Sequence, residues 1–341
     1  MGVLFMSIPA KSTLAQFTMC LDTPYLEVKG GVTRITPCGA TASGFGASLQ
    51  LDGKWLFVSA PDGADGGSVF IYRYATGSNL WKLRQIIQGS GVDPGDQFGF
   101  SISYQEPYLV VGAPFDEDGV TNSGAAYLFE LDLGSASFVE RAIITAPDAQ
   151  ADAEFGISVD LDTAGIVVGS PRFIPLGSTL KEGMIYFFSY DAAVLTYRAQ
   201  FRSNRGYEGQ FGVNVNVEND KMIVQAENRM LTFLYSFVGG HWVKEQKIRY
   251  RSPQDTDIEN GRFYYSAREL IFLPSRETYV IEFPPGTSFR MPVGGGLRRG
   301  RGNFGASIAV HKKNMVIGRP DASHLATFNG GSAIWLHWEG G

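Results

Sequence analysis

The chain has 341 residues, 44% hydrophobic and 18% charged, an ordinary globular balance with ample apolar surface for a large core. Two cysteines exclude a disulfide-dense scaffold, and no window approaches the roughly 18 consecutive apolar residues of a membrane span. The net charge of −5 divides unevenly, with 8 basic against 19 acidic residues over 1–170 (net −11) and 21 against 15 over 171–341 (net +6).

The N-terminal MGVLFM is apolar but lacks a charged leader, and Lys11 cuts it short, so no signal peptide is expected. Cys20 and Cys38 flank YLEVKGGVTRI (25–35), which reads as a hairpin around Gly30-Gly31. The two cysteines either face each other across it as a disulfide or stay as free thiols. From residue 45 onward one signal dominates. Phe-Gly recurs as Phe45-Gly46, Phe98-Gly99, Phe155-Gly156, Phe211-Gly212 and Phe304-Gly305, with a degenerate copy at Phe263. The Phe-to-Phe spacings are 53, 57, 56, 52 and 41 residues, the scale of one propeller blade.

Each copy continues alike. A strand of period-2 alternation is followed by a short turn and a wholly apolar strand ending in small residues and proline: LFVSAP, LVVGAP, IVVGSP and MVIGRP. A polar loop leads to a third strand (SVFIYRY, AAYLFEL, MIYFFSY, LTFLYSF, SAIWLHW) and a fourth, more amphipathic one such as LWKLRQII or HWVKEQKIRY. Four alternating strands separated by Gly, Pro and Asp turns are the blade pattern. Each Phe is expected to wedge between blades, with the glycine beside it permitting positive φ or close backbone approach.

This pattern resembles the FG-GAP repeat of integrin α-subunit propellers and of many microbial surface proteins, and the resemblance covers residues 45–341. It implies an all-β fold, a β-propeller of four-stranded antiparallel blades. Six units can be counted, seven being the alternative. The sixth ends after its third strand, so residues 25–44 are expected to supply the closing strand and lead-in, with 1–24 as an N-terminal arm and 1–341 as one domain. Closure places the acidic and basic halves on opposite sides of a disc.

Integrin-type repeats often carry a calcium loop between the first two strands. Here those turns are short, and only VDLDTAG brings two carboxylates together, Asp160 and Asp162. No calcium and no cofactor are therefore expected. Asp116 and Asp118, beside Glu117, form a weak cation candidate that a solvated turn explains better. GRGNFG (300–305) matches a dinucleotide fingerprint formally, but a strand follows where a helix is required. The four histidines are scattered, and no nucleophile–base pair assembles by spacing.

The loops between strands two and three, and those leading into each Phe-Gly, are expected on one face. They carry Phe115, Asp116, Arg172, Phe173, Tyr207, Arg298, Arg299 and Arg301, aromatic and Arg side chains of the kind that anchor interfaces. The expected function is a non-enzymatic binding or adhesion module for a protein or an acidic glycan, extracellular or on a cell or virion surface. The alternatives are a structural or host-attachment subunit of a virion spike or other assembly, meeting neighbouring subunits, and a hydrolase on the propeller scaffold. The charge balance argues against nucleic acid, and the absence of an apolar span against membrane insertion.

Overall fold

Period-2 alternation with tight polar turns dictates antiparallel ladders, and these make up the regular structure. The computed structural model describes residues 27–28, 32–35, 43–77, 80–117, 119–191, 194–202, 210–218, 220–226, 231–249, 262–266, 269–273, 279–283, 287–291, 308–311, 314–319 and 332–337.

Two short strands, β1 (Glu27–Val28) and β2 (Val32–Ile35), come first in the chain. Four four-stranded sheets follow, each a simple meander. The first holds β3 (Leu49–Asp52), β4 (Trp55–Ala60), β5 (Ser68–Ala75) and β6 (Leu80–Ile87); the second β7 (Ser101–Gln105), β8 (Tyr108–Ala113), β9 (Ala125–Asp132) and β10 (Ser137–Ile144). The third holds β11 (Ser158–Asp162), β12 (Gly165–Ser170), β13 (Met184–Asp191) and β14 (Val194–Phe201); the fourth β15 (Phe211–Glu218), β16 (Lys221–Ala226), β17 (Leu231–Val238) and β18 (His241–Arg249). Two hairpins come next, β19 (Arg262–Ser266) with β20 (Glu269–Leu273), and β21 (Tyr279–Phe283) with β22 (Thr287–Met291). Phe263 lies within β19, opposite Phe272.

The last strands, β23 (Ile308–His311), β24 (Asn314–Arg319) and β25 (Ser332–His337), join the first two in one five-stranded sheet, β1-β2-β25-β24-β23. Val32 stands opposite Leu336 and Ile35 opposite Ala333. The strand missing from the C-terminal repeat is thus supplied by the N-terminal segment. Ile35 and Ala333 are buried with Phe45, Leu49, Leu51 and Phe70 of the first sheet, so the terminal sheet packs on the first. The leading strands neighbour one another in the order β23, β3, β7, β11, β15, β19.

The repeated Phe-Gly has a clear physical role. Phe45, Phe98, Phe155 and Phe211 are fully buried. Each ring meets, edge to face, an aromatic of the third strand of its own sheet: Phe70, Tyr127, Tyr186 and Phe233, at 5.2, 5.3, 5.3 and 5.2 Å. The apolar clusters around these rings draw on two consecutive sheets. Phe98, for example, shares its cluster with Phe57, Val69 and Ile71 of the sheet before it. The core therefore lies between sheets, as a stack of blades requires.

The glycine makes that approach possible. Gly46, Gly99, Gly156 and Gly212 have φ of 91°, 94°, 91° and 92°. A Cβ at Gly156 would stand 2.2 Å from the carbonyl oxygen of Ala125 in the preceding sheet. Ser101 Oγ donates across the same joint to Gly156 O at 2.9 Å, and Ser158 Oγ across the next joint to Gly212 O at 2.8 Å.

Candidate binding face

Strand direction sorts the connections. The hairpins between first and second strands are two-residue turns, as between Asp52 and Trp55 or Gln105 and Tyr108. The connections between second and third strands, and those leading into each Phe-Gly, run longer and meet one another. Phe98 N donates to Gly66 O (2.8 Å), Phe155 N to Ser123 O (2.9 Å) and Phe211 N to Glu182 O (3.0 Å). Each joins the loop of one sheet to the lead-in of the next, so both kinds of loop share one face.

A second repeated glycine seals these joints. A Cβ on Gly124 (φ 84°) would stand 2.0 Å from Phe155 O, and Gly67 and Gly183 occupy the same place before Phe98 and Phe211. The signal was a glycine just ahead of the third strand in the first three sheets, hidden among other loop glycines.

The expected contact residues divide. Phe115 is half-buried and Arg172 is exposed. Asp116 and Phe173 turn inward, each with 4% of its surface accessible. Asp116 Oδ2 accepts from the Tyr127 hydroxyl at 2.5 Å, while Phe173 packs edge to face on Tyr186 at 6.3 Å. Those two serve packing and leave no surface for a ligand. Burial, followed by this hydrogen bond, pushes the Tyr127 hydroxyl well above the ordinary tyrosine range. Burial likewise raises Asp96, which accepts from Asp93 N at 2.8 Å. Asp118, Tyr207, Arg298, Arg299, Arg301, Cys20 and Cys38 lie outside the described residues.

The segment 171–183 stands out on this face. Arg172 Nη1 lies 2.9 Å from Oε1 of the buried Glu154. The Gln150 amide clamps the backbone of Ile174 in both directions, each bond 3.0 Å, and Ser178 Oγ donates to Glu182 Oε1 at 2.7 Å. Above that fixed base Leu176 is fully exposed and Leu180 is 51% exposed. Both leucines sit in a Pro/Gly/Ser/Thr loop without periodicity, so the sequence alone gives no sign of them. The neighbouring loops 61–67, 88–97, 114–124 and 145–154 contain no Lys or Arg, and Asp62, Asp65, Asp93, Glu117 and Asp152 are exposed there.

A polar row crosses the leading strands, five residues after each Phe. Gln50 Nε2 reaches Tyr104 O at 3.4 Å. The Ser103 hydroxyl donates to Asp160 Oδ1, and Asp160 Oδ2 accepts from Asn216 Nδ2 (2.9 Å) and Val217 N (2.6 Å). Asp162, two residues on, accepts from Ala164 N at 2.8 Å. The two carboxylates of VDLDTAG are thus engaged by neighbouring strands and their own turn.

The FG-GAP repeat family matches residues 81–129 and 138–188. Over those two stretches the chain is similar to the FG-GAP repeat. Such repeats build β-propeller binding and adhesion modules, typically on extracellular or surface proteins. No curated protein matches the sequence. Among solved structures, the chain is similar to a Bacteroides fragilis protein described as a candidate 6-phosphogluconolactonase. Identity is 12% and the TM-score 0.50, with 81% of this chain and 77% of that chain covered. At that identity the similarity speaks for the propeller fold alone. Among the described residues, no helix is long and apolar enough to cross a membrane.

Proposed function

We propose that this chain is one six-bladed propeller that binds its ligand without transforming it, through the loop face of the second and third sheets. The observation that carries this reading is the segment 171–183, whose base is fixed by Gln150, Glu154 and Glu182 while Leu176 and Leu180 remain in water. Exposed apolar groups on a pre-ordered base lose little conformational freedom on contact, which favours binding. The ligand is a protein or an acidic glycan outside the cell; Arg172 is the cationic donor of this segment, and Arg298, Arg299 and Arg301, in the lead-in to Phe304-Gly305, are the further donors proposed for the loop face.

The test is a combined glycan and protein array probed with the wild type and with the charge reversal of Arg298, Arg299 and Arg301. An acidic ligand that binds the wild type and is lost with the reversal supports the reading. Binding of unchanged strength and salt dependence in a folded reversal variant removes those arginines from the site. Turnover in a broad hydrolase screen removes the non-enzymatic reading.

One observation favours a second role as a subunit of a larger surface assembly. Val139, Ile143, Val194, Tyr197 and Val243, on the outermost strands β10, β14 and β18, are 40%, 40%, 60%, 42% and 51% exposed. Sedimentation of the purified chain distinguishes the roles, since a rim built for neighbouring subunits drives concentration-dependent association.

A further inference from the structure

A half-buried carboxylate needs a reason, because desolvation costs free energy unless donors surround it. Asp160 has such donors from three directions. Ser103 reaches Oδ1 from β7, Leu161 N reaches Oδ1 at 3.0 Å from its own strand, and Asn216 Nδ2 and Val217 N reach Oδ2 from β15. One side chain therefore ties the leading strands of the second, third and fourth sheets.

We propose that Asp160 is a proton-operated clasp between these three sheets. With the carboxyl ionised, the Ser103 hydroxyl donates to Oδ1. A proton taken from solvent onto Oδ1 reverses that one hydrogen bond, because a hydroxyl accepts as readily as it donates. The bonds from Asn216 and Val217 to Oδ2 stay in place, and no heavy atom has to move. The negative charge leaves the half-buried site while the tie survives.

The surroundings set where this happens. Burial is the largest influence and raises the Asp160 carboxyl; Ser103, Val217 N and Leu161 N oppose it, and the net result is a group pushed up to about 6. The charged group facing it is Asp162, on its own strand, which adds to the upward push; Asp162 is itself raised by burial and lies near Asp220. β7 presents Ser103 and β15 presents Asn216, and neither titrates. The folded chain thus takes the proton before the unfolded chain does. Stability from this group is gained as pH falls through about 6 and lost as pH rises again.

The test uses the full chain labelled with 13C at the aspartate carboxyls. One carbon titrating near pH 6, present in the wild type and missing from Asp160→Asn, is the expected result. Ser103→Ala, which removes a charge-assisted bond to the ionised form and only a weaker neutral one to the protonated form, moves that midpoint upward and makes the assignment even where Asp160→Asn does not fold. In thermal melts the wild type gains stability between about pH 7 and about pH 5, and Asp160→Asn loses that part of the slope. The proposal is overturned if no carboxyl titrates in this range, if Ser103→Ala leaves the midpoint in place, or if Asp160→Asn keeps the full slope.

Discussion

Gly156→Ala puts the Phe-Gly argument to a quantitative test. The residue sits at φ 91°, where an L side chain costs about 1–2 kcal/mol. Its new Cβ would stand 2.2 Å from Ala125 O and 3.1 Å from Ala125 C, backbone atoms that cannot swing aside. Relieving that contact means opening the joint between the second and third sheets. The bonds at risk are Ser101 Oγ to Gly156 O (2.9 Å) and Gly156 N to Gly169 O (3.0 Å). Overpacking of this kind costs about 1–3 kcal/mol, so the total is about 2–5 kcal/mol, a large share of a typical folding free energy. Gly119→Ala is the control, because Gly119 has φ 76° but nothing within 4 Å of its Cβ position. It carries the backbone cost alone, about 1 kcal/mol. Melting followed by calorimetry should place Gly156→Ala about 6 °C below the wild type and Gly119→Ala within about 2–3 °C of it. Equal losses in the two variants would refute the claim that sheet-to-sheet approach, rather than φ, fixes this glycine.

Removing residues 1–40 takes away the strand that pairs with β25 and bares a sheet edge; a large drop in melting temperature with concentration-dependent association is expected, and an unchanged, monomeric melt would count against ring closure. Arg172→Ala leaves the buried Glu154 short of its cationic partner and should cost about 1 kcal/mol in denaturant unfolding, part of which Glu154→Gln restores in the double variant. Millimolar calcium should leave the melting temperature in place, since a ligand at a hundred times its dissociation constant adds about 2.7 kcal/mol and would be visible. A chelator-reversible rise would overturn the reading of the short first turns.

Much of the architecture was legible because the repeat writes the same physics several times. Phe45, Phe98, Phe155 and Phe211 all bury their rings at equivalent joints, and a C-terminal repeat lacking a fourth strand left residues 25–35 as the segment able to close it. What stayed hidden was side-chain direction within loops. Asp116 and Phe173 occupy equivalent positions two residues after Pro114 and Pro171, and both point into the sheet joint, one to bond Tyr127 and one to pack on Tyr186. Loop polarity carries no period from which that inward turn can be read. Leu176 and Leu180 were missed for the opposite reason, since apolar residues in a loop look like core until the structure leaves them in water. Asp160 and Asp162 read as a failed metal loop, whereas their partners sit 57 and 2 residues away on β15 and in the following turn.

The most direct measurement of the binding claim compares the two faces of the propeller. The ligand found on the array is tested by surface plasmon resonance against the wild type, Leu176→Asp with Leu180→Asp on the loop face, and Lys54→Glu on the opposite hairpin face. All three proteins are first checked for the same melting temperature. The account predicts faster dissociation and at least a tenfold loss of affinity, about 1.4 kcal/mol, for the double leucine variant and none for Lys54→Glu. Full affinity in the leucine variant together with a loss in Lys54→Glu would place the site on the other face and contradict it.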